Sequence, residues 1–294
     1  MKFRAAVSAA IALVGVLVLS GCSPTAPESE KPQVVASLSV WGNLATYIGG
    51  DKIDVTNLIN SSSQDPHSYE ASARDQLALS KADLVLANGG GFDPFIDQLL
   101  AASDKKPNLL KVENLALAID FASNEHAWYS LPTVQIVATE IAAELKKIDS
   151  ANAEFYQAGL DSVMTELAAT ATKAATLAEQ TSGKTAITTE PLVDYLLTDL
   201  GITSKTPTSF AEAIEEERDA SVADLEAVAA LIRDRQVDML VVNSSTVTGQ
   251  IEYLVGEAEK ADIPVFEFAE LPEQGESYSS WLDFYLETMD AYFE

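Results

Sequence analysis

The 294-residue chain is poor in the residues that usually organise a metal or redox site: it has one cysteine and two histidines. One cysteine excludes an intramolecular disulfide framework and a cysteine-rich zinc module. Two histidines limit any metal site to two imidazoles, so its other donors must be carboxylates or water. Positive charge is scarce as well, 18 Lys and Arg against 45 Asp and Glu, giving a formal net charge of −27. A nucleic-acid backbone would be repelled by such a surface, whereas cations would be attracted. No Gly-x-Ser-x-Gly elbow, P-loop or His-Glu-x-x-His helix is present. That leaves no recognisable nucleophilic or nucleotide-binding motif. What the chain does have is 47% hydrophobic and 21% charged residues, a globular composition. The length suggests about two domains at ~150 residues each.

The first segment reads as an address. Lys2 and Arg4 precede an apolar run, Ala5 to Leu19, that falls short of the ~20 residues of a spanning helix. The ending Leu19-Ser20-Gly21-Cys22 resembles the bacterial lipobox, which implies cleavage before Cys22 and lipidation of that residue. Residues 23–32, rich in Ser, Pro and Glu, read as a flexible tether.

Beyond the tether, short apolar runs alternate with helical patterns. Strands are expected at 34–38, 53–59, 83–87, 185–188, 237–242 and 264–268, with helices at 70–81, 133–148, 191–200, 222–234, 247–260 and 278–293. This alternation predicts βα units, parallel sheets and an α/β fold. Residues 151–180 form a proline-free, Ala- and Leu-rich stretch that would span ~45 Å as one helix, long enough to link two lobes. The expected organisation is a leader at 1–21, a lipidated tether at 22–32, a first lobe at 33–150, a linking helix at 151–182 and a second lobe at 183–294. Residues 210–219, with the run Glu215-Glu216-Glu217, read as a charged surface segment with a solvated face.

Ligands in open α/β sheets collect at the carboxyl ends of strands. His67 follows the second expected strand, His126 lies in a loop closing the first half, Glu190 directly follows the strand at 185–188, and Glu270 follows the strand at 264–268. A lone loop histidine is more often a surface residue, and Glu190 before Pro191 would also suit a helix start. Their joint placement carries more than any one of them.

Several blocks together resemble a known family, the metal-binding lipoproteins of ABC importers for zinc and manganese (the cluster A-I solute-binding proteins). The blocks are Asp65-Pro66-His67-Ser68-Tyr69-Glu70, Asn124-Glu125-His126-Ala127-Trp128, Thr189-Glu190-Pro191 with Asp194-Tyr195-Leu196, and Ala269-Glu270 with Tyr278 and Trp281. The resemblance covers nearly the whole mature chain. It implies two Rossmann-like lobes with parallel sheets joined by one long backbone helix, and one Zn2+ or Mn2+ ion held between the lobes by His67, His126, Glu190 and Glu270. It further implies a monomer anchored through Cys22 outside the cytoplasmic membrane, delivering metal to an ABC permease, without enzymatic activity. Glu125 stands where the family has proline, and Ser130-Leu131-Pro132 replaces an Asp-Pro. Glu125 is the candidate to substitute for the lost carboxylate, and Asn243, after the strand at 237–242, falls near the expected cleft as a supporting or structural residue. Tighter zinc binding at a given site favours zinc, and the carboxylates favour manganese. Both ions stay open. The competing readings are a surface adhesin with a structural metal and a metallohydrolase whose fourth carboxylate acts as base.

Overall fold

The structure, a computed structural model, describes residues 31–61 and 69–293. The expected leader, Cys22, most of the tether and His67 lie outside the described residues.

Strand β1 (Gln33–Leu38) is buried from Val34 onward on both faces, as a central parallel strand must be. It feeds α1 (Ser39–Gly49), which stops where Gly50 adopts a φ of 49°. Strand β2 (Asp54–Ile59) follows. Helix α2 (Ala73–Lys81) starts later than residue 70 because Ser72 and Asp75 form a capping box, Ser72 N donating to Asp75 Oδ2 at 2.7 Å. Then come β3 (Leu84–Ala87), α3 (Phe95–Ala101) and β4 (Asn108–Lys111). All pairings in this sheet are parallel, in the order β2-β1-β3-β4.

A short 3-10 turn (Ala127–Tyr129) leads into α4 (Leu131–Ile148). Ser130 caps that helix by accepting from Thr133 N, and Pro132 occupies its first turn, so Ser130-Leu131-Pro132 is a helix start. Helix α5 (Ala153–Thr181) then runs for 29 residues. The second sheet comprises β5 (Thr185–Thr188), which α6 (Asp194–Asp199) connects to β6 (Thr203–Ser204). Helices α7 (Thr208–Glu215) and α8 (Val222–Arg233) lead to β7 (Met239–Asn243), and α9 (Gly249–Lys260) to β8 (Val265–Phe268). Helix α10 (Tyr278–Phe293) ends the described chain. This sheet is also parallel, in the order β6-β5-β7-β8. The two sheets therefore repeat one strand order, second-first-third-fourth. No helix among the described residues is long and apolar enough to cross a membrane.

Helix α5 packs against α1, α4 and α10. Its contact with α1 depends on Gly159, where a Cβ would lie 2.2 Å from the Ile48 carbonyl oxygen. One continuous core joins β1, β3, α1, α4 and α5 to Leu196, Met239, Phe268 and Trp281 of the second lobe. A smaller core lies on the far side of the second sheet and includes Ile187, Phe210, Ile214, Leu240 and Leu254.

The segment expected as a charged surface stretch needs correcting. Residues 208–215 form α7, and Phe210, Ala213 and Ile214 are buried along one side. Their spacing of three and four residues is that of a packed helix.

Candidate metal centre

The carboxyl ends of both sheets face the same region, and the loops leaving them carry most of the polar residues singled out above. His126 precedes the 3-10 turn and is fully buried. Phe92 and Trp128 pack against it in T-shaped contacts, with centroids at 5.7 and 5.2 Å. Asn124 sets its orientation. The Asn124 Oδ1 accepts from the backbone N of His126 and pairs with His126 Nδ1, both at 2.9 Å. A carbonyl oxygen can only accept, so Nδ1 carries the hydrogen when the ring is neutral and the Nε2 lone pair faces outward. That Nε2 lies 3.1 Å from Glu270 Oε1 and 3.5 Å from Glu215 Oε1.

Glu190 leaves the end of β5 just before Pro191, and Glu270 leaves the end of β8. The amide of Asn243, at the end of β7, bridges them. Its Nδ2 donates to Glu190 Oε2 and to Glu270 Oε2, each at 2.7 Å. Thr246 Oγ1 donates to the other Glu190 oxygen. Both carboxylates are almost wholly buried. Asn243, His126, Glu190 and Glu270 thus converge on one point. Glu125 lies beside them but is held through its backbone, its carbonyl accepting from Asn88 Nδ2 at 3.0 Å. Its carboxylate acts on His126 through charge, whereas the ring's hydrogen-bond partner behind the site is Asn124.

Burial alone would push the His126 imidazole down. The Glu270 carboxylate, aided by Glu215 and Glu125, outweighs that and lifts it to about 9. Burial raises Glu190 against the hydrogen bonds from Thr246 and Asn243, and the charge of Glu270 adds to the rise. Burial carries Glu215 up to about 8, with Glu190 and Glu270 adding to it and His126 opposing it. Asp194, at the start of α6, is raised by burial and drawn back by His126. The charge of His126 opposes the rise at Glu190, Asp194 and Glu215, so the imidazole is the cation that these carboxylates face. Buried carboxylates are ordinarily paired with a cation.

Imidazole and carboxylate are donor types that a divalent transition metal accepts. In a tetrahedral shell with bonds of ~2.0–2.2 Å, neighbouring donor atoms stand ~3.3–3.6 Å apart. The separations from His126 Nε2, 3.1 and 3.5 Å, lie close to that edge length. Among the described residues, no group of three or more His, Cys, Asp or Glu could hold a metal ion as placed. The described side chains are instead bonded to one another, with the Glu190 oxygens engaged by Asn243 and Thr246. His67, the other imidazole expected here, lies outside the described residues.

Sequence reasoning did not identify Glu215 and assigned no role to the Asn124 side chain. The signal for Glu215 was available in the spacing of Phe210, Ala213 and Ile214, which marks the helix that carries it inward.

The family model described as "ZnuA: Zinc-uptake complex component A periplasmic" matches residues 34–292. The metal ABC transporter substrate-binding lipoprotein ScbA of Streptococcus cristatus is 27% identical to this chain, with 97% of each chain covered. The manganese ABC transporter substrate-binding lipoprotein PsaA of Streptococcus pneumoniae is 25% identical, covering 94% of this chain and 93% of its own. Among solved structures, the binding protein FpvC of Pseudomonas aeruginosa in complex with Mn2+ has a TM-score of 0.76 at 20% identity, covering 90% of this chain and 98% of that one. The periplasmic zinc-binding protein TroA of Treponema pallidum has a TM-score of 0.73 at 19% identity, covering 89% and 98%. These structural likenesses establish a shared fold, and the matched span extends from β1 to α10. The chain belongs to the family of the periplasmic zinc-uptake component A.

Proposed function

We propose that this protein is the solute-binding component of an ABC importer, capturing one zinc or manganese ion between its lobes and presenting it to the permease. The observation that carries this reading is the convergence of buried Glu190 and Glu270, held together by Asn243, beside the buried His126 Nε2. A divalent cation would neutralise that cluster. In this reading His126 Nε2, Glu190, Glu270 and His67 are the ligands. Asn124 keeps the His126 lone pair outward, and Asn243 holds both carboxylates in register. Four protein ligands leave no open position for an activated water, which suits carriage rather than hydrolysis. Family membership likewise places the chain among binding proteins rather than enzymes.

Ligands from both lobes make the bound ion a bridge, so loading favours one relative lobe arrangement that a permease could read. Lipidation of Cys22 would tether the protein outside the cytoplasmic membrane. The test is elemental analysis of protein purified without a His tag after growth with both metals, paired with competitive zinc and manganese titration of the parent and Glu190→Ala. About one ion per chain in the parent, and much weaker retention in the variant, is the expected result. A parent that holds no stoichiometric metal would overturn the reading.

A further inference from the structure

Three tyrosines send their hydroxyls from one lobe to the backbone of the other, each beside a candidate ligand. Two of them, Tyr195 and Tyr278, belong to the sequence blocks that mark the site. Tyr195 OH donates to the Asn124 carbonyl at 2.7 Å. Tyr278, which opens α10, donates to the Trp128 carbonyl at 2.7 Å. Tyr129 answers in the other direction. Its OH donates at 2.6 Å to the carbonyl of Ala269, the residue before Glu270. The last two bonds run side by side, because the Trp128 carbonyl leads directly into Tyr129.

Both phenols are held firmly. Tyr129 and Tyr278 are buried, and a buried hydroxyl that loses its partner is costly. Trp281, one turn along α10, packs against both rings, with centroids 5.1 Å from Tyr129 and 5.9 Å from Tyr278. Tyr129 N donates to the His126 carbonyl at 3.1 Å, so the ring moves with the histidine. On the other side, Ala269 N donates to Tyr285 OH of α10 at 2.9 Å. Short links thus run from His126 through Tyr129 and Ala269 to Glu270. They close where Glu270 Oε1 lies 3.1 Å from His126 Nε2.

Resting on the carrier reading above, we propose that Tyr129 and Tyr278 are positioning residues, a reciprocal clasp that sets His126 against Glu270 across the lobe boundary and so governs how long the ion is retained. Neither phenol touches the ion in this role. A binding group works only when held to within about 0.5 Å of its place. His126 and Glu270 come from different lobes, so their spacing depends on contacts that cross between the lobes. The two hydroxyl bonds cross there one residue from Glu270 and two from His126.

The experiment uses the full mature chain and the variants Tyr129→Phe, Tyr278→Phe and Tyr156→Phe, each of which removes one hydroxyl and keeps the ring. Tyr156 is the control. It is also buried, and its OH donates to Asp149 Oδ2 at 2.7 Å near the start of α5, on neither of the two segments. Thermal melts of the chelated proteins report the stability lost. Zinc-loaded and manganese-loaded proteins are then mixed with excess chelator and the half-time of release is read. Tyr129→Phe and Tyr278→Phe are expected to shorten that half-time ~10-fold, the lower end of the range for losing a group that orients a ligand. Tyr156→Phe should lower the melting temperature and release metal at the parent's rate. Release at the parent's rate in both clasp variants, or equal acceleration in Tyr156→Phe, would overturn the proposal and leave the carrier reading intact. A parent that takes up neither ion would overturn both.

Discussion

At the residue scale, two asparagines organise the site although neither is a candidate ligand. Asn124 binds the backbone N and the Nδ1 of His126 through its oxygen, and its Nδ2 donates to the Pro191 carbonyl at 2.7 Å. One amide thus orients an imidazole of the first lobe and grips the backbone next to Glu190 in the second. Asn243 does the corresponding work for the carboxylates, donating from one nitrogen to both. Hydrogen bonds to charged groups contribute about 1.5–3 kcal/mol each, and the two here share one donor nitrogen. Asn243→Ala should therefore destabilise the chelated protein by about 2 kcal/mol in denaturant unfolding. An unfolding curve equal to the parent's would mean that the amide does not hold the pair. The positions of His126, Glu190, Glu270 and Asn243 were legible because each lies at a strand end, just after one, or in the loop closing the first lobe. The bridge itself was not, because it joins residues far apart in sequence. Glu215 escaped for a different reason. Three consecutive glutamates look alike in sequence, and only the turn at Glu217 and the buried side of α7 separate the inward one from the outward two.

At the element scale, the long helix was the most legible feature and its packing the least. An Ala- and Leu-rich stretch without proline specifies helix α5 on its own, but the approach of α1 to Gly159 depends on two segments more than a hundred residues apart. A methyl group at Gly159 would lie 2.2 Å from the Ile48 carbonyl oxygen and 2.9 Å from its carbon, so backbone rather than a flexible side chain must give way. Alanine has the higher intrinsic helix propensity, worth ~1 kcal/mol at an exposed site. The clash should outweigh it. Gly159→Ala is expected to lower stability by ~1–3 kcal/mol, the usual cost of overpacking, measured by thermal or denaturant unfolding. A stabilised variant would mean that α1 and α5 can separate at no cost. Strands β4 and β6 escaped sequence reading for a simpler reason. Both are short edge strands, β6 is exposed throughout and β4 is half exposed, so neither carries an apolar run.

At the scale of the whole molecule, the question is how far the lobes can move when metal enters. The larger core runs without interruption from the first sheet through α5 and α10 to Phe268 of the second. Polar bonds reinforce it around the loop that carries Glu270. Ser39 Oγ donates to the Pro272 carbonyl at 2.7 Å, and Asn43 Nδ2 donates to the carbonyls of Glu273 and Glu276, each at 2.9 Å. Tyr129 OH donates to the Ala269 carbonyl at 2.6 Å, so this loop is bound to the first lobe on both sides of Glu270. Tyr195 OH returns the grip from the second lobe to the Asn124 carbonyl at 2.7 Å. Wide hinge opening would have to break these bonds and expose part of a shared apolar core, each buried side chain costing ~1.5–3 kcal/mol. Rearrangement of the loops around the ion is far less costly. Small-angle scattering with saturating zinc and with a chelator should therefore give profiles that nearly coincide, the radius of gyration changing by less than about 1 Å from the ~18 Å expected of a compact chain this size. A compaction of several ångströms on loading would mean that the lobes part at the shared core. The permease would then have to distinguish open from closed molecules rather than sense a small tilt and the state of one loop.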